Sequence, residues 1–443
     1  MLIELRASDD RLRGPKAVDA APILTAAYRA ATESPADLSR LRFVCDFIQY
    51  RQNFRDPVEL RRVEPWNIDP GTPGADGESF EIAIDLRRAR PDAVDAGIKA
   101  SLADAQECAR LPLENWGTGS RSLIWGFNTL YWKALSLWEQ STGKGYESAL
   151  PGGESDARNV EAARELILRL FGLWDSLAAR RALPEELYVL ELGVGNGNQA
   201  RVFLDELRRM DREHGRGYFR RLHYLMGDYS PHVLELARKN VAHHSEHISS
   251  LVLDALRPTQ TLGFLRYKAF LVYISNVYDN LPTDEVVRIG GHLFQVETRA
   301  VIARSAAENL SASVKVRVDD LPDLIARLLR VGPELLCEVL PDSFPKPAEA
   351  VAFWRAVWEA LRLEERYAPL LELDTYEVAP DVGGELLRPI VEANGDVRMH
   401  ISNGAAASFT DTLPLLHPHG VLLCHDLFVT DVHQYLNGFR GPG

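Results

Sequence analysis

Residues 189–199 read Val-Leu-Glu-Leu-Gly-Val-Gly-Asn-Gly-Asn-Gln. Apolar residues lead into Glu191, and then Gly193, Gly195 and Gly197 alternate with larger residues. A strand that ends in alternating glycines lets the backbone turn sharply and approach a ligand closely. A helix beginning just after such a turn presents its first N–H groups to that ligand. The spacing separates two ligand classes. A dinucleotide fingerprint is G-x-G-x-x-G, shaped around a pyrophosphate. Here Asn198 stands where the third dinucleotide glycine belongs. Glu191 would repel a pyrophosphate but suits a cationic ligand. The residues alone leave open a glycine-rich turn of another Rossmann relative.

More acids follow at regular intervals. Tyr224–Ser230 reads Y-L-M-G-D-Y-S. An acid at a strand end can accept hydrogen bonds from both hydroxyls of a ribose, which makes Asp228, with its neighbour Tyr229, a ligand-binding candidate. The alternative is a helix N-cap. Ser230 is the better cap and would leave Asp228 free. Asp254 and Ala255 sit in Leu-Asp-Ala after a third apolar run, where a solvated loop acid is the alternative. Ser275–Pro282 reads S-N-V-Y-D-N-L-P, and His417–Asp426 reads H-P-H-G-V-L-L-C-H-D. His425 and Asp426 end that run, where a catalytic role and a structural one are both open.

Glu191–Gly197 resembles motif I of the class I methyltransferases, E/D-x-G-x-G-x-G. Their ligand, S-adenosyl-L-methionine, carries an ammonium and a sulfonium. The Ser275–Pro282 phrase resembles N-E-F-F-D-A-L-P of the MidA-like methyltransferases, a family that includes mitochondrial complex I assembly enzymes acting on a protein arginine. Asn276, Asp279, Leu281 and Pro282 match; Val277 replaces the glutamate, and the two aromatics are reduced to Tyr278. The resemblance covers roughly residues 185–290 and 405–430. It implies S-adenosyl-L-methionine on Glu191, Gly193, Gly195, Gly197, Asp228, Tyr229, Asp254, Ala255 and Asn276, with Asp254 near the adenine amino group. It also implies Asn276, Tyr278 and Asp279 on the acceptor side as the catalytic set. The acceptor would be a protein side chain such as arginine, or a small molecule. A non-catalytic assembly or scaffold protein, and an NAD(P)-dependent oxidoreductase, are the competing readings.

Elements must position these residues. Glu186–Leu192, Leu222–Gly227, Ser249–Leu253 and Ala269–Ile274 read as strands. Val160–Arg180, Gln199–Asp211 and Pro231–His243 read as helices. This alternation predicts an α/β fold with a Rossmann-like, doubly wound, mostly parallel sheet. Residues 292–397 interrupt it with helical stretches at Leu321–Leu329 and Ala348–Leu363, which suggests an inserted subdomain. A helix at Ala405–Leu416 and a strand at Val421–His425 then resume the alternation. Upstream, residues 1–110 read as a mixed α/β region. Pro22–Ala31, Pro35–Tyr50 and 88–110 have helical spacing, Phe80–Leu86 reads as a half-buried strand, and Ile68–Gly77 is loop chemistry. Residues 111–184 read as helical, with Trp116, Trp125, Phe127, Tyr131, Trp132, Trp138 and Tyr146 forming a packing face or a lid. Tyr146–Asn159 could close over a ligand. The expected division is therefore 1–110, 111–184, 185–291, 292–397 and 398–443. A seven-stranded sheet would need a hairpin after the fifth strand. Phe428–Gly443 is too short for it, so either the chain is truncated or another segment, such as 80–86, edges the sheet. An exposed fifth strand would invite a homodimer.

The 443 residues carry a formal net charge of −13, which disfavours a general nucleic-acid binder. No apolar run suits a membrane helix, and Met1–Arg13 lacks a signal-peptide core. Cys45, Cys108, Cys337 and Cys424 lie far apart, as in a reducing compartment such as the cytoplasm or a mitochondrial matrix. His243, His244 and His247 end a helix, and only His243 and His247 have i,i+4 spacing. Favourable interaction with the helix dipole is the simpler account, and no metal is expected. Val382–Glu385 (V-G-G-E) reads as a turn.

Overall fold

The computed structural model describes residues 2–5, 19–33, 41–46, 52–64, 79–104, 110–145, 160–393 and 396–426. Ile68–Gly77, Tyr146–Asn159 and Phe428–Gly443 lie outside them. The chain forms two compact units. The first holds Met1–Phe127 and Pro282–Ile401; the second holds Asn128–Leu281 and Ser402–Leu427.

The second unit is built on five parallel strands: β1 (Leu187–Leu192), β2 (Leu222–Asp228), β3 (Ile248–Val252), β4 (Ala269–Ser275) and β5 (Leu416–His425). Their order is β5-β4-β1-β2-β3, so the chain starts in the middle and winds outward twice. The connecting helices are α1 (Val160–Ala179) before β1, α2 (Asn198–His214), α3 (Pro231–Asn240), α4 (Pro258–Leu262) and α5 (Asn403–Thr412). β1 and β4 are nearly continuous apolar runs because both faces of the sheet are covered. Alternate residues feed two cores. Val189, Tyr224, Met226, Leu271 and Tyr273 pack with Phe171 and Trp174 of α1 and with Phe203 and Leu207 of α2. Leu190, Leu192, Leu225, Val272 and Ile274 pack with Leu262, Ala405 and Leu415. Two αL glycines bound α2, Gly197 before it and Gly215 after it.

The first unit carries a mixed sheet of ten strands among the described residues. Leu41–Asp46, Ser79–Asp85 and Val58–Val63 lie beside one another, under the helices Ala21–Glu33 and Pro91–Asp104. Val58–Val63 then pairs with Leu361–Pro369, which continues through His292–Ala303 and Asp284–Ile289 to Val397–Ile401.

Four sequence expectations change here. Leu41–Asp46, the described part of Pro35–Tyr50, is a strand; its neighbours supply a ladder that outweighs weak helical spacing. Ser79–Asp85 is a strand as expected, but one buried along most of its length. It belongs to the first unit and does not edge the five-stranded sheet. The helical stretch written to Leu363 stops at Ala360, where Leu361–Pro369 becomes a strand. The stretch drawn as an insertion, 292–397, runs from Pro282 to Ile401, and its strands register with N-terminal ones, Arg61 beside Glu365 and Pro112 beside Val301.

Candidate functional site

β1 delivers the chain to the glycine turn. The N–H groups of Gly193 and Val194 both donate to the Gly227 carbonyl, at 2.7 and 3.1 Å, which ties the turn to β2. All three glycines have positive φ. A Cβ on Gly193 would overlap a Val277 methyl, and one on Gly197 would lie 2.9 Å from the Ala237 Cα on α3. These two glycines are dictated by packing. Gly195 differs: at φ +55° a Cβ there would meet no atom within 4 Å. Its bare backbone faces open space, as a cradle for a closely held ligand requires.

Glu191 sits beneath this cradle and is 2% exposed. Its Oε2 accepts the Tyr224 hydroxyl at 2.6 Å, and Tyr273 of β4 lies beside it in register. Burial pushes the Glu191 carboxyl up to about 8; Asp228 adds to the rise, and the Tyr224 hydrogen bond partly offsets it. Ionising such a buried acid costs free energy that a nearby positive charge would return.

Asp228 ends β2. Its Oδ1 accepts the Ser230 N–H at 2.9 Å and its Oδ2 accepts the Gly195 N–H at 3.2 Å. Ser230 caps α3 by accepting the Val233 N–H at 3.3 Å. Thus Ser230 is the cap, yet Asp228 is not free: it braces the glycine turn with lone pairs to spare. Burial raises its carboxyl against these backbone hydrogen bonds. Asp254 follows β3 and accepts the Leu256 N–H at 2.9 Å; Ala255 beside it is partly buried. The ring of Tyr229 lies 5.2 Å from the Lys133 ammonium.

After β4, Asn276 is exposed and held at φ +54°, its N–H donating to the His425 carbonyl at 2.9 Å. Asp426 Oδ2 accepts the N–H groups of Val277 and Tyr278 at 2.9 and 2.6 Å. That gives Asp426 a structural task. Asp279 is exposed, and its Oδ1 accepts the Asn280 amide at 2.7 Å. Tyr278 turns into the core with Leu190 and Ala405, and burial pushes its phenol up to about 12.

The fold therefore brings Glu191, Gly193, Gly195, Gly197, Asp228, Tyr229, Asp254, Ala255 and Asn276 to the carboxyl ends of four adjacent strands. It places Asp279 on the surface beside them, and Tyr278 below the surface. Sequence reasoning missed the Glu191 partner Tyr224, whose only signal was a polar tip inside an apolar strand. It also missed Asn240, whose amide binds the Asn196 carbonyl at 3.1 Å and Asn198 Oδ1 at 2.9 Å, fastening α3 to the turn. Residues 128–142 flank the same strand ends: Asn128 donates to the Asn280 carbonyl at 3.0 Å, and Glu139 lies 3.2 Å from His232.

No family model and no curated protein matches the sequence. Solved structures do. One is an uncharacterized COG1565 superfamily protein from Burkholderia thailandensis, 17% identical, aligned over 48% of this chain and 47% of that one, with a TM-score of 0.28. Another, a COG1565 superfamily member from the same organism bound to S-adenosyl-homocysteine, is 18% identical over 48% and 49%, also with a TM-score of 0.28. DszA carbon methyltransferase is 16% identical over 44% and 47%, with a TM-score of 0.24. The chain spans about half the length of the solved structures it matches.

Proposed function

We propose that the second unit is a Rossmann-like, doubly wound domain that binds S-adenosyl-L-methionine, and that the protein is a methyltransferase of the MidA-like kind. The observation that carries this reading is Glu191: a buried acid whose carboxyl is pushed up to about 8, at a glycine turn whose middle Cβ position is open. A pyrophosphate would add negative charge that disfavours ionising this acid further, whereas an ammonium and a sulfonium would compensate its ionised form. The donor set fits the rest of the ligand. Asp228 keeps lone pairs for ribose hydroxyls, and Asp254 stands at the next strand end for an adenine amino group. When bound, the cofactor supplies a methyl carbon activated by its sulfonium.

The chain's own work is to hold the acceptor in line and exclude water. Asp279 and Asn276 are exposed polar groups after β4. A guanidinium would pair with Asp279 and be oriented by it. A protein arginine is thus the acceptor this reading favours, with a small molecule second; the net charge of −13 suits a basic partner. Cytoplasm or mitochondrial matrix is the proposed location.

Calorimetric titration with S-adenosyl-L-methionine tests the reading, with NADH as control and Gly195→Asp as the variant. Micromolar binding to the wild type, lost in the variant, supports it. Failure of well-folded protein to bind overturns it. A non-catalytic scaffold is the second reading, favoured by the burial of Tyr278 among core residues; it predicts binding without turnover on any arginine-rich peptide.

A further inference from the structure

The helix α2 and the turn after α3 bring three metal-binding side chains together. Asp205 lies on α2, and His243 and His244 belong to the short helical turn Ala242–His244. The Nε2 atoms of both histidines lie 2.8 Å from the same oxygen, Asp205 Oδ1. All three donor atoms fall within 4.8 Å of one another. His247, the i,i+4 partner that spacing singles out, is elsewhere: its Nδ1 lies 3.3 Å from the Leu222 carbonyl and its ring packs on Phe219 at 4.3 Å.

We propose that Asp205, His243 and His244 form one face of a binding site for a divalent transition metal, with Zn2+ as the leading occupant. The donor set is two imidazoles and a carboxylate, which suits Zn2+, Ni2+ or Cu2+ and not Ca2+ or Mg2+. Metal–donor bonds of about 2.0–2.2 Å set tetrahedral donor separations of roughly 3.3–3.6 Å. The two nitrogen–oxygen contacts of 2.8 Å would open by roughly half an ångström to reach that spacing. Each imidazole would move its proton from Nε2 to Nδ1 and offer the freed lone pair, so neutral ligation needs no oxidant or further base.

The site is pre-organised. His244 is buried, its N–H donates to the Val241 carbonyl at 2.9 Å, and its ring meets Phe219 edge-on at 5.6 Å. His243 lies against it, with ring centroids 4.1 Å apart. The side chains of Asp205 and His243 are 45% and 49% exposed, which leaves room for water or a fourth ligand on the open side. Asp205 is seven residues into α2, about 10 Å along the helix from the glycine turn. The metal would therefore clip α2 to the entry of β3, and the proposal does not rest on the methyl-transfer reading.

The test uses the full chain without an affinity tag, stripped with chelator and titrated with Co2+, read by visible absorption and then displaced with Zn2+. One-to-one binding is expected. His243→Ala, a half-exposed change that spares the core, and Asp205→Asn should each weaken it by at least ~10-fold. His247→Ala should leave it unchanged. Absence of saturable one-to-one binding overturns the proposal. So does binding that survives both ligand variants, or that is lost with His247.

Discussion

Under the proposed reading, Glu191 would join stability to binding in one side chain. Its carboxyl is held up to about 8 by burial, while in an unfolded chain it ionises near the ordinary ~4.3. A raised carboxyl favours the fold below the unfolded value, and that contribution is lost as pH rises through the folded value. Stability attributable to Glu191 should therefore decline between about pH 4.5 and 8. In the Glu191→Gln variant that decline should be absent, as urea melts across this range would show. Ligand affinity has the opposite sign. A cation requires the ionised acid, so the dissociation constant of S-adenosyl-L-methionine should fall about tenfold per pH unit between ~6 and ~8 and level off above. Near pH 7 binding should release close to one proton, visible as a heat that depends on the buffer. Buffer-independent heats would mean that Glu191 does not ionise on binding. Asp279→Ala tests the neighbouring surface: turnover should disappear while cofactor affinity stays within a few-fold. The placement of the glycines and acids at strand ends was legible in the sequence because identity and spacing carry it. The bracing of Asp228 by Gly195 was not, because it joins segments 33 residues apart. Nor was the grouping of His243 and His244 with Asp205, 38 residues from the first of them.

At the scale of elements, most strands and helices of the second unit were readable because they announce themselves locally, by an apolar run and a capping or glycine signal. β2, for instance, was expected at Leu222–Gly227 and spans Leu222–Asp228. By contrast, α4 was not expected, and β5 begins at Leu416, where a helix was expected to end and five residues before the expected strand. The first unit was not readable in the same way. Its sheet joins Val58–Val63 to Leu361–Pro369, a pairing no local period encodes. Charge fastens that joint. Glu365 lies beside Arg61 in register, 3.0 Å from its Nε, and 2.8 Å from Arg398 Nη2 on Val397–Ile401. Arg398 also grips Glu285, which holds His400 at 2.7 Å. Burial alone would raise the Glu365 carboxyl, but Arg398, Arg55 and Arg61 bring it down to about 2. A lowered carboxyl stabilises the fold above the unfolded value near 4.5 and stops doing so as pH falls toward 2. Glu365→Gln leaves buried guanidinium charge uncompensated, which costs about 3–5 kcal/mol. Hydrogen exchange should report faster opening of 361–369 in this variant at pH 7, with 187–192 much less affected. Equal loosening of both segments would show that the two sheets unfold as one.

For the whole molecule, the consequence of this threading is that neither unit is continuous in sequence. The chain leaves the second unit after Leu281, completes the first through Ile401, and returns to supply α5 and β5. That return is structural. β5 pairs with β4 from Ala269 to Ser275, and Ala405 and Leu415 close the core over Leu192 and Ile274. Asp426 holds the Val277 and Tyr278 N–H groups from the same segment, so the loop beside the cradle also depends on it. Long-range closure of this kind is slow and leaves apolar strand surface open until the last segment arrives. A chain ending at residue 401 should therefore keep the first unit's strands but expose β4 as an unpaired edge. It should bind hydrophobic dyes, associate at micromolar concentration and fail to bind S-adenosyl-L-methionine, although Glu191, Gly195, Asp228 and Asp254 are all present. Supplying 402–426 as a separate peptide should restore part of the binding, because the lost partners are side chains and ladder bonds and not the covalent link. A monomeric 1–401 chain that binds the cofactor as the full protein does would show that the four strands β1–β4 suffice, and that the returning segment serves the acceptor side alone.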